Sequence, residues 1–208
     1  MPTTRGLERL IFFTDAVVAI AITLLVLPLV DAASESANTG LKAADFFREE
    51  QSQIIAFLIS FAVIARLWMA HHSLFEHLAA YNNRVVFLSL VWAFTIVLLP
   101  LPTAMSAEFD SEPLTAGFYI GTMFVSSLLL TLLTLTVRGN PQLEASANPI
   151  ETKGVQGSVV TTVLFALAFV FGTFVPGVNY WALLLLLLSG PIGVLLDRRT
   201  ASGARDRG

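Results

Sequence analysis

The chain has 208 residues, of which 55% are hydrophobic and 13% are charged, and its formal net charge is -3. Soluble domains carry roughly a quarter charged residues, so this composition, with a mean hydropathy of +0.75, leaves too little polar surface for a water-soluble globule and indicates a polytopic integral membrane protein. The chain has no cysteine, which excludes disulfides, thiolate metal sites and cysteine nucleophiles.

Six apolar segments are long enough to cross a bilayer, which takes about 20 mostly apolar residues per helix. They cover residues 9–30, 53–70, 85–103, 114–137, 155–175 and 180–196. The longest connection, residues 31–52, is polar, and residues 42–51 within it are predicted to form a short surface helix. We therefore expect an all-α fold in which residues 1–197 form one six-helix transmembrane domain. Residues 198–208, rich in Arg and Gly, are expected to form a disordered cytoplasmic tail.

Lysine and arginine are concentrated on one side of the predicted helices, which sets the orientation of the chain. That side holds Arg5, Arg9, Arg66, Arg84, Arg138, Lys153, Arg198, Arg199, Arg205 and Arg207. The other side holds Lys42 and Arg48 together with the acids Asp31, Glu35, Asp45, Glu49, Glu50, Glu108, Asp110 and Glu112. We therefore expect both termini in the cytoplasm. The acidic outer face either concentrates cations through its negative field or only keeps the loops soluble.

The first apolar segment follows two arginines, so a cleaved signal peptide over residues 1–33 is an alternative interpretation. The apolar stretch at residues 10–30 is longer than the about 7–15 apolar residues of a signal peptide. Asp15 also interrupts it. We therefore expect this segment to be retained as the first transmembrane helix.

One face of the predicted first helix carries an aliphatic stripe. At about 100° per residue, Ile20, Leu24, Leu27 and Asp31 fall within about 60° of one another, and Thr23 lies beside them. Asp15 lies about 140° from the stripe and should point into the helix bundle, where an ionisable group needs partners. The candidate partners at the cytoplasmic ends of the second and third helices are Arg66, Trp68, His71, His72, Asn82 and Asn83.

Two motifs resemble signatures of the transmembrane protein 175 family of potassium channels. The first is Arg9-x3-Phe13-Thr14-Asp15, in which Thr14 stands where the family usually has serine. The second is Trp68-x2-His71-His72, followed by Asn82-Asn83-Arg84. In length and in its six predicted helices, the chain resembles the prokaryotic members of the family, which carry a single repeat and assemble as tetramers.

The resemblance implies a homotetrameric potassium channel in the prokaryotic plasma (inner) membrane, with its pore lined by the first helix. It implies that Ile20 forms a constriction, that Leu24 and Leu27 form further aliphatic layers, and that Thr23 is a hydroxyl layer favouring potassium. Asp31 would then lie at the outer mouth of the pore. The residues implied to form a structural clamp around the first helix are Arg9, Phe13, Thr14, Asp15, Trp68, His71, His72 and Asn83. The expected partners are other copies of the chain, the lipid bilayer and monovalent cations, with no nucleic acid, no metal site and no cofactor apart from potassium as the permeant ion.

Other interpretations stay open. A secondary, proton-coupled transporter usually places ionisable groups near the membrane midplane, where the predicted helices have none. A non-conducting membrane scaffold is the other alternative, and Thr23 can equally be a packing residue bonded to its own backbone. An enzyme is disfavoured, because no nucleophile elbow, P-loop or intramembrane carboxylate pair is present. The cluster His71, His72, Glu76 and His77 invites a metal or pH-sensing interpretation, but it lacks the spacing of a known zinc motif.

Overall fold

The computed structural model describes residues 4–108, 112–175 and 179–188. Within these ranges the chain is helical, with only an isolated β-bridge between Leu78 and Glu144. The α-helices are α1 (Thr4–Leu24), α2 (Leu27–Asn38), α3 (Ala43–Glu49), α4 (Gln51–Phe75), α5 (Asn83–Leu98), α6 (Pro100–Glu108), α7 (Pro113–Arg138) and α8 (Thr152–Phe174). A 3-10 helix covers Asn179–Leu188. Among the described residues, five helical stretches are long and apolar enough to cross a membrane.

Prolines divide two of the predicted segments. Pro28 has no N–H and cannot bond to the carbonyl of Leu24, so α1 ends there and α2 begins at Leu27. The membrane span predicted at residues 9–30 is confirmed within the apolar stretch Arg5–Asn38, but two helices form it, and α2 continues to Asn38 through residues predicted as a loop. In the same way, the segment predicted at residues 85–103 is divided into α5 and α6 where Pro100 begins a new helix.

The other predicted segments agree with the structure, apart from the last. Helices α4, α7 and α8 confirm the segments predicted at residues 53–70, 114–137 and 155–175, and α3 confirms the short surface helix. The sixth segment, predicted as an α-helix over residues 180–196, begins as a 3-10 helix instead. Its three-residue period stacks Ala182 over Leu185, and both pack against the core. Residues 189–196 of this segment and the tail predicted at residues 198–208 lie outside the described residues.

Helix α7 is at the centre of the bundle and packs on α8, α5, α6 and α4. Helices α7 and α8 approach each other closely at Gly121. A Cβ atom added to this glycine would lie only 3.0 Å from the Phe169 ring. Toward the other end of the same contact, the Thr131 hydroxyl lies 2.7 Å from the Ser158 hydroxyl and 2.8 Å from that of Thr162. Ser127 extends this hydroxyl ladder, 2.9 Å from Thr162. Small residues and hydroxyl pairs hold helices together in lipid, where apolar burial supplies little driving force.

We expect Thr131→Val to lower the free energy of unfolding in detergent by about 1 kcal/mol, because valine keeps the volume and removes the hydroxyl at the centre of the ladder. The measurement is chemical unfolding followed by circular dichroism. The control is Thr161→Val, since Thr161 donates to the Gly157 carbonyl of its own helix. An equal loss in both variants would show that the ladder between the helices is not what stabilises the contact.

Candidate functional site

The aliphatic stripe of the first span lies on the outer surface of the single subunit. The side chains of Ile20, Leu24 and Leu27 are 60%, 39% and 50% exposed. Thr23 and Asp31 are exposed as well. The stripe continues past the break between the helices, because Leu27 and Asp31 belong to α2 whereas Ile20 and Leu24 belong to α1. This face is therefore available for contact with water, lipid or another copy of the chain.

The opposite face of α1 packs into the bundle, chiefly on α5 and α4. Its buried residues recur every three or four positions, which is the period of an α-helix. They are Leu7, Leu10, Thr14, Val18 and Ala21, followed by Leu25 in the turn after α1. Because α1 packs on its own subunit through this face alone, the direction of the aliphatic stripe is fixed by the packing of the opposite side.

The Thr23 hydroxyl donates to the carbonyl of Ile20 at 2.7 Å. The sequence left two roles open for Thr23, a hydroxyl layer in the pore or a packing residue bonded to its own backbone, and this hydrogen bond is the one expected for the second role. A hydroxyl has one hydrogen and two lone pairs, so a bond donated to the backbone leaves the oxygen able to accept. Because Thr23 is exposed beside Ile20, that oxygen lies on the outward face of α1.

Asp15 finds its partner on α4. The Trp68 indole Nε1 donates to Asp15 Oδ1 at 2.8 Å, and both residues are half-buried. A hydrogen bond to a carboxylate is shorter and stronger than one between neutral groups, and a carboxylate inside a membrane span needs such a donor. The Trp68 ring stacks on His72 with centroids 5.3 Å apart, and His72 Nε2 lies 3.8 Å from Glu76 Oε1. The contact therefore runs from α1 through Trp68 to the C-terminal end of α4.

The remaining residues of the first motif divide between the two faces of α1. Thr14 is fully buried, with its hydroxyl 3.1 Å and 2.9 Å from the carbonyl oxygens of Leu10 and Ile11. Arg9 is exposed, and Phe13 is 49% exposed. Among the described residues, no ion pair joins Arg9 to Asp15. The structure thus brings Thr14 and Asp15 into the bundle and leaves Arg9 and Phe13 outside it.

The three histidines have different surroundings. His71 is buried, and its ring stacks on Trp92 and Phe75 with centroid distances of 4.0 Å and 4.3 Å. His77 Nδ1 lies 2.9 Å from the carbonyl oxygen of Asn148 in the loop before α8, and His72 is the residue beside Glu76. Across the described ranges, no group of three or more His, Cys, Asp or Glu side chains is placed to hold a metal ion.

Sequence reasoning missed the capping role of Asn82 and the position of Trp92. Asn82, and not Asn83, caps α5, since its side chain accepts from the Val85 N–H at 3.0 Å whereas Asn83 is the exposed first residue of the helix. Two asparagines shortly before the apolar run that begins at Val85 are an N-cap signal that could have identified it. The other position is Trp92, which stacks on His71. A single aromatic residue in the middle of an apolar helix gives no such signal.

A likeness to known proteins is strongest over the half of the chain that carries both motifs. The model of the family described as endosomal/lysosomal potassium channel TMEM175 matches residues 9–100. Potassium channel B446_29190 of Streptomyces collinus is 35% identical over 100 residues, which cover 48% of this chain and 47% of that protein. Potassium channel Cha6605_3372 of Chamaesiphon minutus is 30% identical over 136 residues, which cover 64% of this chain and 66% of that protein. The chain thus spans less than two thirds of the length of each of these relatives.

The fold is shared over a longer stretch. The crystal structure of a lysosomal potassium-selective channel TMEM175 homolog from Chamaesiphon minutus superposes with a TM-score of 0.68. The superposition covers 94% of this chain and 98% of that chain at 21% sequence identity, which establishes the arrangement of the helices. The chain is therefore similar in sequence to the TMEM175 family over residues 9–100, and it shares the helix arrangement of that homolog over most of its length.

Proposed function

We propose that this chain is the subunit of a channel that conducts potassium by passive electrodiffusion through the plasma (inner) membrane of a prokaryote. The observation that carries the proposal is the outward aliphatic stripe, where Ile20 and Leu24 of α1 and Leu27 of α2 are exposed while the opposite face of α1 packs into the subunit. An isolated soluble protein has no reason to expose such a face. The names of the two bacterial relatives, both potassium channels, support the same function.

The proposed channel is a homotetramer with its termini in the cytoplasm. One α1 helix cannot enclose a pore, so copies have to surround a common axis, and closed rings are the usual symmetry of such assemblies. Ala16, Ala19 and Thr23 are exposed beside the aliphatic stripe, and small side chains let neighbouring helices approach closely in lipid. In this arrangement Asp31 lies toward the outer mouth.

In the proposed pore the ring of Ile20 side chains is the narrowest layer, followed by Leu24 and Leu27. A ring of aliphatic side chains blocks ions by excluding water, and a small dilation rewets it. The Thr23 hydroxyl oxygens, which are free to accept, would then face a partly dehydrated cation. The hydrogen bond between Asp15 and Trp68 is a structural clamp in this mechanism and not a transport site, because the Asp15 carboxylate is turned toward α4.

We expect Ile20→Ala to raise potassium flux into proteoliposomes at least severalfold, because a ring of alanines is wider and easier to wet. The measurement is potassium uptake down a gradient with a potential-sensitive dye. The matched control is Ile59→Ala, the same change at an exposed position of α4, which should leave the flux unchanged.

Two outcomes would contradict this assignment. Equal effects of Ile20→Ala and Ile59→Ala would remove Ile20 from the pore. Saturable flux that needs a counter-ion would favour the secondary transporter, and the absence of any cation flux from a folded oligomer would favour the scaffold.

The Thr23 layer is expected to set ion preference. Thr23→Val should lower the potassium-to-sodium permeability ratio several-fold, because it removes the exposed oxygen and keeps the shape of the side chain. Thr23→Ser should retain most of the ratio. Reversal potentials under bi-ionic conditions measure the ratio directly, and an unchanged ratio in Thr23→Val would assign Thr23 to packing alone.

The clamp is tested by a double-mutant cycle with Asp15→Leu, which removes the acceptor and keeps a similar side-chain size, and Trp68→Phe, which removes the donor. We expect the two changes to be coupled by about 1–3 kcal/mol in the free energy of unfolding, because each removes one side of a charge-assisted hydrogen bond. Unfolding of the purified protein in detergent provides the four free energies. Additive effects would mean that the contact between Asp15 and Trp68 does not hold α1 in place.

A further inference from the structure

Arg66 is a charged residue on the outward surface of a membrane-spanning helix. It lies in α4, whose buried residues follow one face of the helix and whose neighbouring exposed residues Ala62, Met69 and Ala70 are apolar. Arg66 is itself exposed. At about 100° per residue, it points about 130° away from the centre of the buried face. The guanidinium therefore lies among apolar side chains on the side of α4 that faces away from its own bundle.

Within the described ranges, Arg66 has no hydrogen-bond or ion-pair partner. Its own subunit cannot easily supply one from α1. Trp68, two residues further on, points about 160° away from Arg66 around the helix, and it is Trp68 that holds the Asp15 carboxylate. The partner of Arg66 therefore has to come from outside the described part of the subunit.

The depth of Arg66 makes such a partner necessary. Helix α4 has 25 residues, or about 37 Å at about 1.5 Å per residue, against about 30 Å for the hydrocarbon core. Arg66 lies nine residues before Phe75, the last residue of the helix, or about 13 Å along its axis. An arginine at this depth pairs with an anion, reaches toward the interface, or draws headgroups and water inward.

The described residues of a second copy of the chain offer no free carboxylate at this depth. Asp15 is at the level of Trp68, close to that of Arg66, but it already accepts from Trp68 and faces its own bundle. The other described acids belong to the ends of spans or to the segments between them. They are Glu8, Asp31, Glu35, Asp45, Glu49, Glu50, Glu76, Glu108, Glu112, Glu144 and Glu151. The remaining anion within reach of a lipid-facing arginine is the headgroup phosphate of a phospholipid.

We infer that Arg66 binds the phosphate of an anionic phospholipid, whose acyl chains lie along the apolar face of α4 beside Ala62 and Met69. Guanidinium pairs with phosphate through two parallel hydrogen bonds, which gives both strength and geometry. An anionic headgroup is favoured over a zwitterionic one because it carries no ammonium to compete for the phosphate. In the orientation proposed above, this lipid lies in the cytoplasmic leaflet. The pairing of Arg66 with the phosphate does not depend on that orientation.

The test is lipid binding to the purified oligomer in detergent, measured by native mass spectrometry with phosphatidylglycerol and, separately, phosphatidylcholine. We expect the wild-type protein to bind phosphatidylglycerol more tightly, and Arg66→Gln to weaken that binding about tenfold, as expected for the loss of one charge-assisted pair. Arg66→Lys should retain part of the preference. The matched control is Arg84→Gln, which removes an exposed arginine at the start of α5 and should change the affinity less than twofold.

Three results would overturn the proposal. Equal losses in Arg66→Gln and Arg84→Gln would indicate diffuse attraction to positive charge and no site at Arg66. Competition by millimolar inorganic phosphate would show that a free anion occupies the site. Dissociation of the oligomer in Arg66→Gln with unchanged lipid affinity would show that Arg66 pairs with a second copy. The experiment measures lipid binding and not ion flux, so it tests the role of Arg66 even in a protein that conducts no ions. A failure of this inference is therefore distinguishable from a failure of the proposed channel function.

Discussion

The hydrogen bond from the Trp68 indole to the Asp15 carboxylate fixes how α1 is rotated against its own subunit. A helix in lipid gains little from apolar burial, because the lipid tails are as apolar as its neighbours, so directional contacts decide which face turns inward. With Asp15 held against α4, Thr14, Val18 and Ala21 pack into the bundle. Ile20 and Leu24 are then left on the surface. The candidate pore face is therefore a consequence of the contact on the opposite side of the helix.

The hydrogen bond between Asp15 and Trp68 fixes the rotation of α1 but not that of the helix after it. Pro28 removes the bond to the Leu24 carbonyl, and α2 continues as a separate helix without a buried residue. Leu27 and Asp31 are thus attached to α1 through a turn and are not positioned by the contact with α4 in the way that Ile20 is. In the proposed channel, the position of the Ile20 constriction is fixed by packing within its own subunit. The positions of Leu27 and Asp31 depend on how the copies pack against one another.

Inside the subunit, polar contacts are made mostly by neutral groups. The Ser60 hydroxyl on α4 lies 2.7 Å from the Tyr119 hydroxyl on α7 and accepts from the Thr103 hydroxyl on α6 at 2.8 Å, and a second set of hydroxyls links α7 to α8. Hydroxyls can satisfy one another without the desolvation cost of a charge. Arg66 lies on the outside of this bundle, where a membrane protein can meet a charged headgroup. This separation of neutral pairs within and charge at the surface is what a low-dielectric environment favours.

The sequence by itself determined five of the six predicted membrane-spanning segments and the faces of α1. Apolar runs of sufficient length have to be helical in a bilayer, because every backbone polar group needs a partner within the segment, and the period of 3.6 residues places Ile20 and Leu24 on one face and Asp15 on another. The two motifs were also present in the sequence, and they indicated the resemblance to the TMEM175 family.

Only the tertiary structure decided which of the six candidate residues contacts Asp15. Periodicity gives the direction of a side chain around its own helix. It does not give the rotation of neighbouring helices or their relative depth in the membrane. It also decided that Pro28 and Pro100 separate helices, whereas Pro102 is buried inside α6. The same holds for the stacking of His71 on Trp92 and for the 3-10 winding of Asn179–Leu188, because both depend on the shape of the space left by other helices.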